Sequence, residues 1–328
     1  MLVTTTFFNL PEDEQIEGIE AFSSEILSRY AIDVQSVASI NYEYNATLKV
    51  QTTDGQLFAL RVNINSPRTP DNLAAEIAWV NFLARDGRVN VPHPIASKQG
   101  DFHTSIFHEP SQRTLHCVLY SWLDGEEVGD QPSSEQLRAL GAAMATLHKS
   151  SENFELPTGA KLPLLSDPMW ETEDYLLGEK SVLDPQAKAL ISRAIDAIAS
   201  ETKRLFASQK PQIIHADLHG WNVMWSDGIL SVLDFDDCGI GLPLQDLATA
   251  IYYLDTPEQD AALKEGYESV APLPEFSQSD LDMLLLQRRI ILLNYLYETS
   301  NAEHRTLIPE YLIESIRRIE KYLADNSR

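Results

Sequence analysis

The sequence predicts an α+β fold of two lobes, with a small antiparallel-sheet N-lobe carrying one packed helix and a larger, mainly helical C-lobe. Two segments of alternating hydrophobicity, 46–52 and 56–62, are joined by Asp54-Gly55, a dipeptide typical of hairpin turns. After Pro132 the hydrophobic period changes from that of strands to that of amphipathic helices. This order, with strands first and helices afterwards, is typical of an α+β protein.

The elements of the N-lobe can be placed one after another. Residues 12–30 have helical periodicity, and a second helix is predicted over 71–86, with Asp71 as its N-cap after Pro70. A strand over 115–122 closes the lobe. The helix over 71–86 is the one expected to pack on the sheet.

The C-lobe is predicted to consist of helices around a strand-rich block, 212–237. The boundary between the lobes is expected near 124–132, as a hinge, so the lobes comprise residues 1–124 and 125–328 and together form one functional unit. The predicted helices of the C-lobe are 134–150, 191–206, 257–270, 279–297 and 308–323.

Composition excludes several classes of function. The chain has 328 residues and a formal net charge of -24, which argues against a nucleic-acid ligand because no basic stripe exists to bind phosphates. No apolar run is long enough to span a membrane, and the first residues do not resemble a signal peptide. The two cysteines, Cys117 and Cys238, lack partners at zinc-ligand spacing, so a cytoplasmic setting is expected.

A short block of the C-lobe carries the predicted chemistry. From His215 onward, an Asn stands five residues after an Asp, which is the spacing of a kinase catalytic loop. Asp217 is the predicted base that takes the proton of a hydroxyl acceptor. His219 stands two residues after the base, where protein kinases usually have Lys, and it either contacts the γ-phosphate or packs within the loop. His215 is expected to be structural.

Two oxygen-bearing side chains are assigned to a metal. Asn222 and Asp234 offer hard oxygen ligands, and Mg²⁺ keeps few protein ligands when phosphates are present. Asp236 and Asp237 follow closely, and carboxylates this close together cannot all lack partners. We expect Asp237 to be structural, and the role of Asp236 stays open.

These residues resemble the aminoglycoside phosphotransferase/choline kinase-like family, which has the protein-kinase-like fold. The resemblance covers almost the whole chain and is most specific in the block from His215 to Asp237. Weaker matches occur in the family's order at 58–62, Glu76, 91–94, 118–125, 147–148 and 239–248.

The resemblance implies that the chain transfers a phosphoryl group from ATP, with Mg²⁺, to a hydroxyl of a small molecule. The N-lobe would then bind the nucleotide, and the C-lobe would hold the catalytic residues and the acceptor. In the family an Asp at the position of Asp246 begins a helix and braces the catalytic loop, so Asp246 is assigned to structural support. Family members act on aminoglycosides, choline, ethanolamine, homoserine and sugars, and a few act on protein Ser/Thr, so the acceptor stays open.

Two charged residues of the N-lobe are predicted to orient the nucleotide phosphates. Arg61 stands on the third strand where most kinases have Lys, and it is expected to pair with Glu76 and to contact the α- and β-phosphates.

The rest of the nucleotide site is predicted from backbone groups. The expected nucleotide loop, 39–48, contains no glycine, but Asn tolerates left-handed conformations that direct backbone N–H groups toward phosphates. The adenine slot needs only backbone hydrogen bonds and apolar walls. The backbone groups concerned belong to Asn45, Ala46 and Thr47 in the loop and to Tyr120, Ser121 and Trp122 at the hinge.

The acceptor site is predicted from charge and aromatic residues. Residues 125–328 carry a net charge of -17, against -7 for residues 1–124. Trp170, Glu171 and Asp174 belong to a segment that combines an aromatic ring with carboxylates, which suits an ammonium group. The same carboxylates would equally fit an exposed, solvated helix.

Two other functions are weighed against this one. A Ser/Thr protein kinase on the same scaffold is disfavoured, because residues 222–246 leave no room for a long activation segment. A non-catalytic nucleotide-binding protein is disfavoured because Asp217, Asn222 and Asp234 are all present.

Overall fold

The computed structural model describes residues 6–326 and divides into two compact units. The first unit ends at Asp124 and also includes Leu156–Lys161, and the second comprises Gly125–Glu155 and the chain from Leu162 onward. The separate segment Leu156–Lys161 had no signal in the sequence. No helix of the described residues is both long enough and apolar enough to cross a membrane.

The first unit is built on a five-stranded antiparallel sheet with the order β1-β2-β3-β5-β4. The predicted hairpin joins β2 to β3, and Gly55 takes a φ of 87° in its turn, a conformation that favours glycine. The strands are β1 (Val34–Tyr42), β2 (Asn45–Thr52), β3 (Leu57–Asn63), β4 (Thr104–His108) and β5 (Arg113–Ser121).

Two helices belong to the first unit, as the periodic segments 12–30 and 71–86 predict, and the first of them also packs on the sheet. Helix α1 (Glu12–Leu27) buries Ile19 and Ile26 in the same hydrophobic core as the central strands. Short 3₁₀ turns at Phe7–Asn9 and Glu109–Ser111 complete the unit. Helix α1 therefore stabilises the sheet, because it covers apolar strand faces that water would otherwise contact.

Helix α2 (Pro70–Asp86) begins one residue earlier than predicted, and its N-cap is Thr69 rather than Asp71. The Thr69 hydroxyl accepts a hydrogen bond from the N–H of Asn72, and the Asn72 side chain bonds back to the Thr69 N–H. Pro70 is thus the first helical residue, where its missing N–H costs nothing. Glu76 lies in the buried face of this helix.

The second unit is mainly helical, with two small sheets. Strands β8 and β9 form a hairpin extended by β6, and β7 pairs with β10. The strands are β6 (Glu126–Glu127), β7 (Gln212–Ile214), β8 (Val223–Ser226), β9 (Ile229–Val232) and β10 (Gly239–Gly241). The helices are α3 (Ser134–Ser151), α4 (Pro185–Ser208), α5 (Pro243–Tyr252), α6 (Pro257–Glu268), α7 (Gln278–Glu298), α8 (Ala302–Thr306) and α9 (Ile308–Asp325), and a 3₁₀ turn spans Gly220–Asn222.

Helices α3 and α6 cross at very close range. A Cβ atom built on Gly141 would lie 2.0 Å from the carbonyl oxygen of Leu263, and one on Gly266 would lie 2.0 Å from that of Arg138. Glycine is therefore required at both positions by close backbone approach. The crossing brings His148 of α3 beside Tyr267 of α6, with 2.9 Å between Nδ1 and the hydroxyl oxygen.

Candidate active site

The candidate catalytic loop begins directly after β7 in a strained backbone conformation. Ala216 has a φ of 68°, which non-glycine residues rarely adopt. The fully buried carboxylate of Asp246, in the first turn of α5, accepts hydrogen bonds from the N–H groups of His215 (3.1 Å) and Ala216 (2.6 Å). These two bonds to a charged acceptor hold the strained turn in place.

Asp246 is itself held by a chain of buried polar groups. The Nε2 atom of His148 lies 2.9 Å from a carboxylate oxygen of Asp246, and the Nδ1 atom of the same ring bonds to Tyr267. Burial raises the pKa of Tyr267, so its hydroxyl keeps its proton. The candidate catalytic loop thus rests on the packing of α3 against α6. In the sequence, the pair Leu147-His148 appears only as a match to the family, and the supporting role of His148 was not predicted.

His215 links the loop to the end of β9. Its Nε2 atom lies 3.0 Å from the carbonyl oxygen of Leu233, and its Nδ1 accepts the N–H of Asp217 at 3.3 Å. Burial lowers the pKa of His215, which favours the neutral ring that this pattern requires. These contacts fit a structural role for His215.

The predicted base and the predicted metal ligand contact each other. The side-chain amide of Asn222 donates to Asp217 Oδ2 at 2.9 Å and to the Asp217 carbonyl at 2.7 Å. Because the amide nitrogen faces the base, the Oδ1 atom of Asn222 is directed elsewhere and suits a hard cation.

Asp234 lies beside Asn222 through the β8–β9 hairpin. Val223 pairs with Val232, and the N–H of Leu233 donates to the carbonyl of Asn222 at 3.0 Å. Asp234 follows with a φ of 61° and an exposed side chain. This second strained residue turns a carboxylate out of the hairpin end at which Asn222 also lies.

The donor set fits a metal that is shared with phosphates. Within residues 6–326, no cluster of three or more His, Cys, Asp or Glu side chains is arranged to hold a metal by itself. One amide oxygen and one carboxylate are what Mg²⁺ requires when phosphate oxygens and water supply its remaining ligands.

His219 faces the base from within the loop. Its Nδ1 accepts the N–H of Trp221 at 3.2 Å, and its Nε2 lies 3.3 Å from Asp217 Oδ1. The ring packs on Tyr253, with 4.2 Å between ring centroids. His219 thus packs within the loop, which is one of the two roles considered for it, and it also contacts the base, which was not predicted.

Arg288 of α7, which the sequence did not predict as a site residue, also contacts the predicted base. Its Nη2 forms a close ion pair with Asp217 Oδ1 and lies 2.7 Å from the Tyr253 hydroxyl oxygen. Burial acts to raise the pKa of Asp217, but the charge of Arg288 together with the contacts of His219 and His215 outweighs it and holds that pKa well below its ordinary value. A usable signal existed: Arg288 lies on the same face of α7 as Leu284, where a charge requires a buried partner.

In the first unit, Arg61 and Glu76 form the predicted ion pair. The Arg61 Nη2 atom lies 2.7 Å from both carboxylate oxygens of Glu76, and both side chains are almost fully buried. The Tyr120 hydroxyl lies 3.4 Å from Glu76, and its ring packs against the guanidinium. Strand β3 and helix α2 are thereby tied together by a buried ion pair.

Comparison with known proteins identifies the family. The model of the phosphotransferase enzyme family matches residues 41–277. This chain belongs to that family. The amicoumacin kinase of Bacillus subtilis strain 168 is 25% identical over 274 residues, covering 80% of this chain and 78% of that protein. The serine/threonine protein kinase RdoA of Salmonella typhimurium strain LT2 is 24% identical over 264 residues, covering 78% and 75%.

Among solved structures, a microcompartment-associated aminopropanol kinase superposes with a TM-score of 0.78 at 24% identity, covering 93% of this chain and 98% of that one. This likeness confirms the predicted two-part α+β, protein-kinase-like fold of this phosphotransferase family member.

The predicted nucleotide loop differs from expectation. Residues 39–42 belong to β1, and Asn45 to Thr47 lie in β2 between two paired neighbours, so the turn consists of Glu43 and Tyr44 alone. No residue from 39 to 48 has a positive φ. The left-handed backbone conformation considered for Asn45 does not occur, because strand pairing fixes an extended backbone there.

The hinge residues are also partly engaged. The N–H of Ser121 donates to the carbonyl of His93 at 2.9 Å, and Tyr120 pairs with Ala59 and turns its side chain toward Glu76. The Nζ atom of Lys49 lies over the ring of Trp122, 4.8 Å from its centroid. A backbone contact of Ser121 N–H with adenine would therefore displace an existing hydrogen bond.

The acceptor segment does not form the aromatic–acidic wall predicted for an ammonium group. The Trp170 ring is buried and lies 5.9 Å from the guanidinium carbon of Arg288. Asp174 accepts the N–H groups of Leu176 and Leu177, and Glu171 is exposed. The segment is a series of turns rather than a helix, so neither reading of its carboxylates describes it.

Proposed function

We propose that this chain transfers the γ-phosphate of Mg²⁺-bound ATP to a hydroxyl group of a small molecule. The observation that carries the proposal is the pair formed by Asp217 and Asn222, in which the amide orients the base and leaves its own oxygen for a cation. Family membership supports the reaction class, and the bracing by Asp246 supplies the fixed geometry that phosphoryl transfer needs.

Asp217 acts as the base in this proposal. The acceptor oxygen forms a bond to the γ-phosphorus, the bond from that phosphorus to the bridging oxygen breaks, and ADP leaves with the electron pair. The hydroxyl proton passes to the Asp217 carboxylate. A base of lowered pKa takes this proton late, after the bond to phosphorus has begun to form, which suits a loose transition state.

Asn222 and Asp234 would hold the metal, and Arg61 would contact the α- and β-phosphates. A divalent cation held there would neutralise part of the charge of the nucleotide phosphates. Replacing Asp234 with Ala should remove the Mg²⁺-dependent part of the ATP affinity, as measured by titration calorimetry with and without Mg²⁺. Equal ATP affinity of the wild-type protein in both conditions would contradict this assignment.

For the acceptor, we infer an amine-bearing alcohol as the first class and a neutral sugar as the second. The support is the acidic character of residues 125–328 and a structural relative that is named an aminopropanol kinase. Since Arg288 repels cations, the amine would lie on the side of the hydroxyl away from the guanidinium.

The test is a phosphotransfer assay with matched acceptors. An aminopropanol and the propanol of the same skeleton are incubated with ATP and Mg²⁺, and the products are identified by ³¹P NMR. We expect a phosphate monoester and a lower apparent KM for the amine at low salt. A preference for the neutral alcohol would contradict the amine, and the absence of any monoester across amino alcohols, aminoglycosides, homoserine and sugars would contradict the small-molecule proposal.

A protein Ser/Thr kinase is the second candidate, favoured by the relative of that name. In this chain β9 ends at Val232 and α5 begins at Pro243, so the connection between them is short. It leaves no room for a long activation segment, which disfavours a protein kinase. Incubation with radiolabelled ATP and generic protein substrates separates the two candidates, because only a protein kinase would label protein.

A further inference from the structure

We propose that Arg288 is a positioning residue that supplies the positive charge beside the catalytic base, in place of the Lys found two residues after the base in protein kinases. The inference rests on the proposed function, because it assigns a partner to Asp217. Arg288 comes from α7, far along the chain, and it lies at the base although no catalytic motif includes it.

The contacts of Arg288 fix its guanidinium in one place. The side chain is 5% exposed, and Nη2 bonds to both Asp217 Oδ1 and the hydroxyl of Tyr253. The ring of Tyr253 lies 5.5 Å from the guanidinium carbon and that of Trp170 lies 5.9 Å from it, so aromatic faces enclose the cation.

The turn that contains Trp170 has a strained backbone, and specific hydrogen bonds hold it in that conformation. Trp170 and Glu171 have φ values of 55° and 58°, and the carboxylate of Asp167 accepts the N–H groups of Met169 and Glu171 at 2.9 and 3.0 Å. Two consecutive left-handed residues cost free energy that the surrounding structure must offset. The strained turn presents the Trp170 ring to Arg288.

His219 is engaged within its own loop. Its Nδ1 accepts the N–H of Trp221, and its Nε2 lies 3.3 Å from Asp217 Oδ1 and 3.4 Å from the amide nitrogen of Asn222. The position that is Lys in protein kinases is thus occupied by an imidazole instead of an ammonium group. Arg288 provides the cation from another element.

These contacts give the two carboxylate oxygens of Asp217 different roles. Oδ1 receives both Arg288 Nη2 and His219 Nε2, whereas among the described residues Oδ2 receives only the amide of Asn222. Each carboxylate oxygen has two lone-pair sites, so Oδ1 is saturated and Oδ2 has one site left. We therefore assign the acceptor proton to Oδ2.

A purely structural explanation accounts poorly for Arg288. A buried ion pair is often no more stabilising than apolar residues of the same volume, so stability alone does not explain a charged side chain at this buried position of α7. Arg289, the next residue, is the structural counterpart: its guanidinium bonds to Ser315, Tyr252 and the Tyr311 carbonyl, away from the base.

The chain therefore offers two matched pairs of variants for an experiment. Turnover and KM for ATP are measured with Mg²⁺, ATP and an aminopropanol for R288M against R289M, and for Y253F against Y252F. We expect kcat to fall about 10²-fold in R288M with the KM for ATP unchanged, because the base is misplaced while the nucleotide site is intact. R288K should recover part of the loss, and Y253F should show a smaller loss than R288M.

R289M and Y252F should change the free energy of unfolding but leave kcat per folded molecule at the wild-type value. Wild-type kcat in folded R288M, or an equal loss in R289M, would overturn the proposal. If the wild-type protein itself shows no turnover, the proposed function fails first.

A stability cycle without acceptor then tests Arg288 separately. In R288M the carboxylate of Asp217 is left partly buried without its cation, so the R288M/D217N double variant should be more stable than R288M alone. Additive effects of the two substitutions would show that the ion pair does not form, and would overturn the positioning role.

Discussion

Arg61 and Glu76 show how strongly one buried residue depends on another in this protein. The carboxylate of Glu76 is 3% exposed and receives the guanidinium of Arg61 on both oxygens. Removing one partner leaves the other charge buried without compensation, which costs far more than removing both.

We expect R61M to lower the free energy of unfolding by about 3–5 kcal/mol, because Glu76 then lacks a cation. R61K should lose less stability, since it keeps the positive charge although it lacks the planar guanidinium that contacts both oxygens of Glu76. The double variant R61M/E76Q should regain most of the stability in urea denaturation. A double variant as unstable as R61M would contradict the pairing. In folded R61K, a raised KM for ATP would place the guanidinium at the phosphates.

At this scale, prediction succeeded where partners are close in sequence. Asp217 and Asn222 are five residues apart, and their contact follows from the local loop. The contact between Asp217 and Arg288 joins residues 71 positions apart. No periodicity encodes such a pair, because it is decided by the packing of α7 against the rest of the second unit.

Among the elements, the crossing of α3 and α6 has the clearest consequence for the site. Its closeness depends on Gly141 and Gly266, and it places His148 and Tyr267 where they hold Asp246. A side chain at the crossing would push the helices apart and loosen the support of the catalytic loop.

We therefore expect G141A to reduce the free energy of unfolding by roughly 1–3 kcal/mol, the usual cost of overpacking, and to lower kcat. S134A, at an exposed position in the first turn of the same helix, is the control and should change neither quantity. Denaturant titration and steady-state kinetics measure both. If G141A behaved like S134A, the crossing would not support the site.

Most long helices were predicted well, but α4, predicted over 191–206, spans Pro185–Ser208, and the edge strands were not predicted. Helices α3, α6, α7 and α9 were placed within a few residues because each offers several turns of periodic burial. Strands β1 and β4 lie at the two edges of the sheet, and β1 is mostly exposed, so its sequence has no apolar alternation. For this reason the predicted nucleotide loop, 39–48, overlaps the end of β1.

Over the whole molecule, buried and half-buried histidines contribute to the response of stability to acid. Burial lowers the pKa of His108, His116 and His215 below that of an exposed histidine. A group whose pKa is lower in the folded state binds fewer protons there, so stability falls as the pH drops through about 6.5, the value for unfolded histidine. The net charge of -24 acts in the opposite direction, because protonation of carboxylates relieves repulsion.

The two effects are separated by comparing variants. His108 packs against Phe7 and Phe22, near the carboxylate of Glu25, and bonds to Ser111. We expect H108N to be less stable than the wild type at pH 7.5 but to lose less further stability between pH 7.5 and 5.5, because one buried proton acceptor is gone. Parallel pH dependences in urea denaturation would contradict the contribution of His108.

The sequence predicted the fold class and the reaction class but not the details of acceptor recognition. The fold class follows from the order of strands and helices, and the reaction class from the catalytic block, both of which depend on local pattern. The acceptor depends on side chains from distant turns and helices, such as Trp170 and Arg288, whose juxtaposition exists only in the folded protein.

The most direct measurement of the central claim is the single-turnover rate of phosphoryl transfer in wild-type and D217N protein, with saturating ATP, Mg²⁺ and the acceptor found by the screen. We expect D217N to bind ATP normally and to be slower by about 10²–10⁴-fold, the usual contribution of a positioned general base. An unchanged rate in D217N would show that Asp217 is not the base.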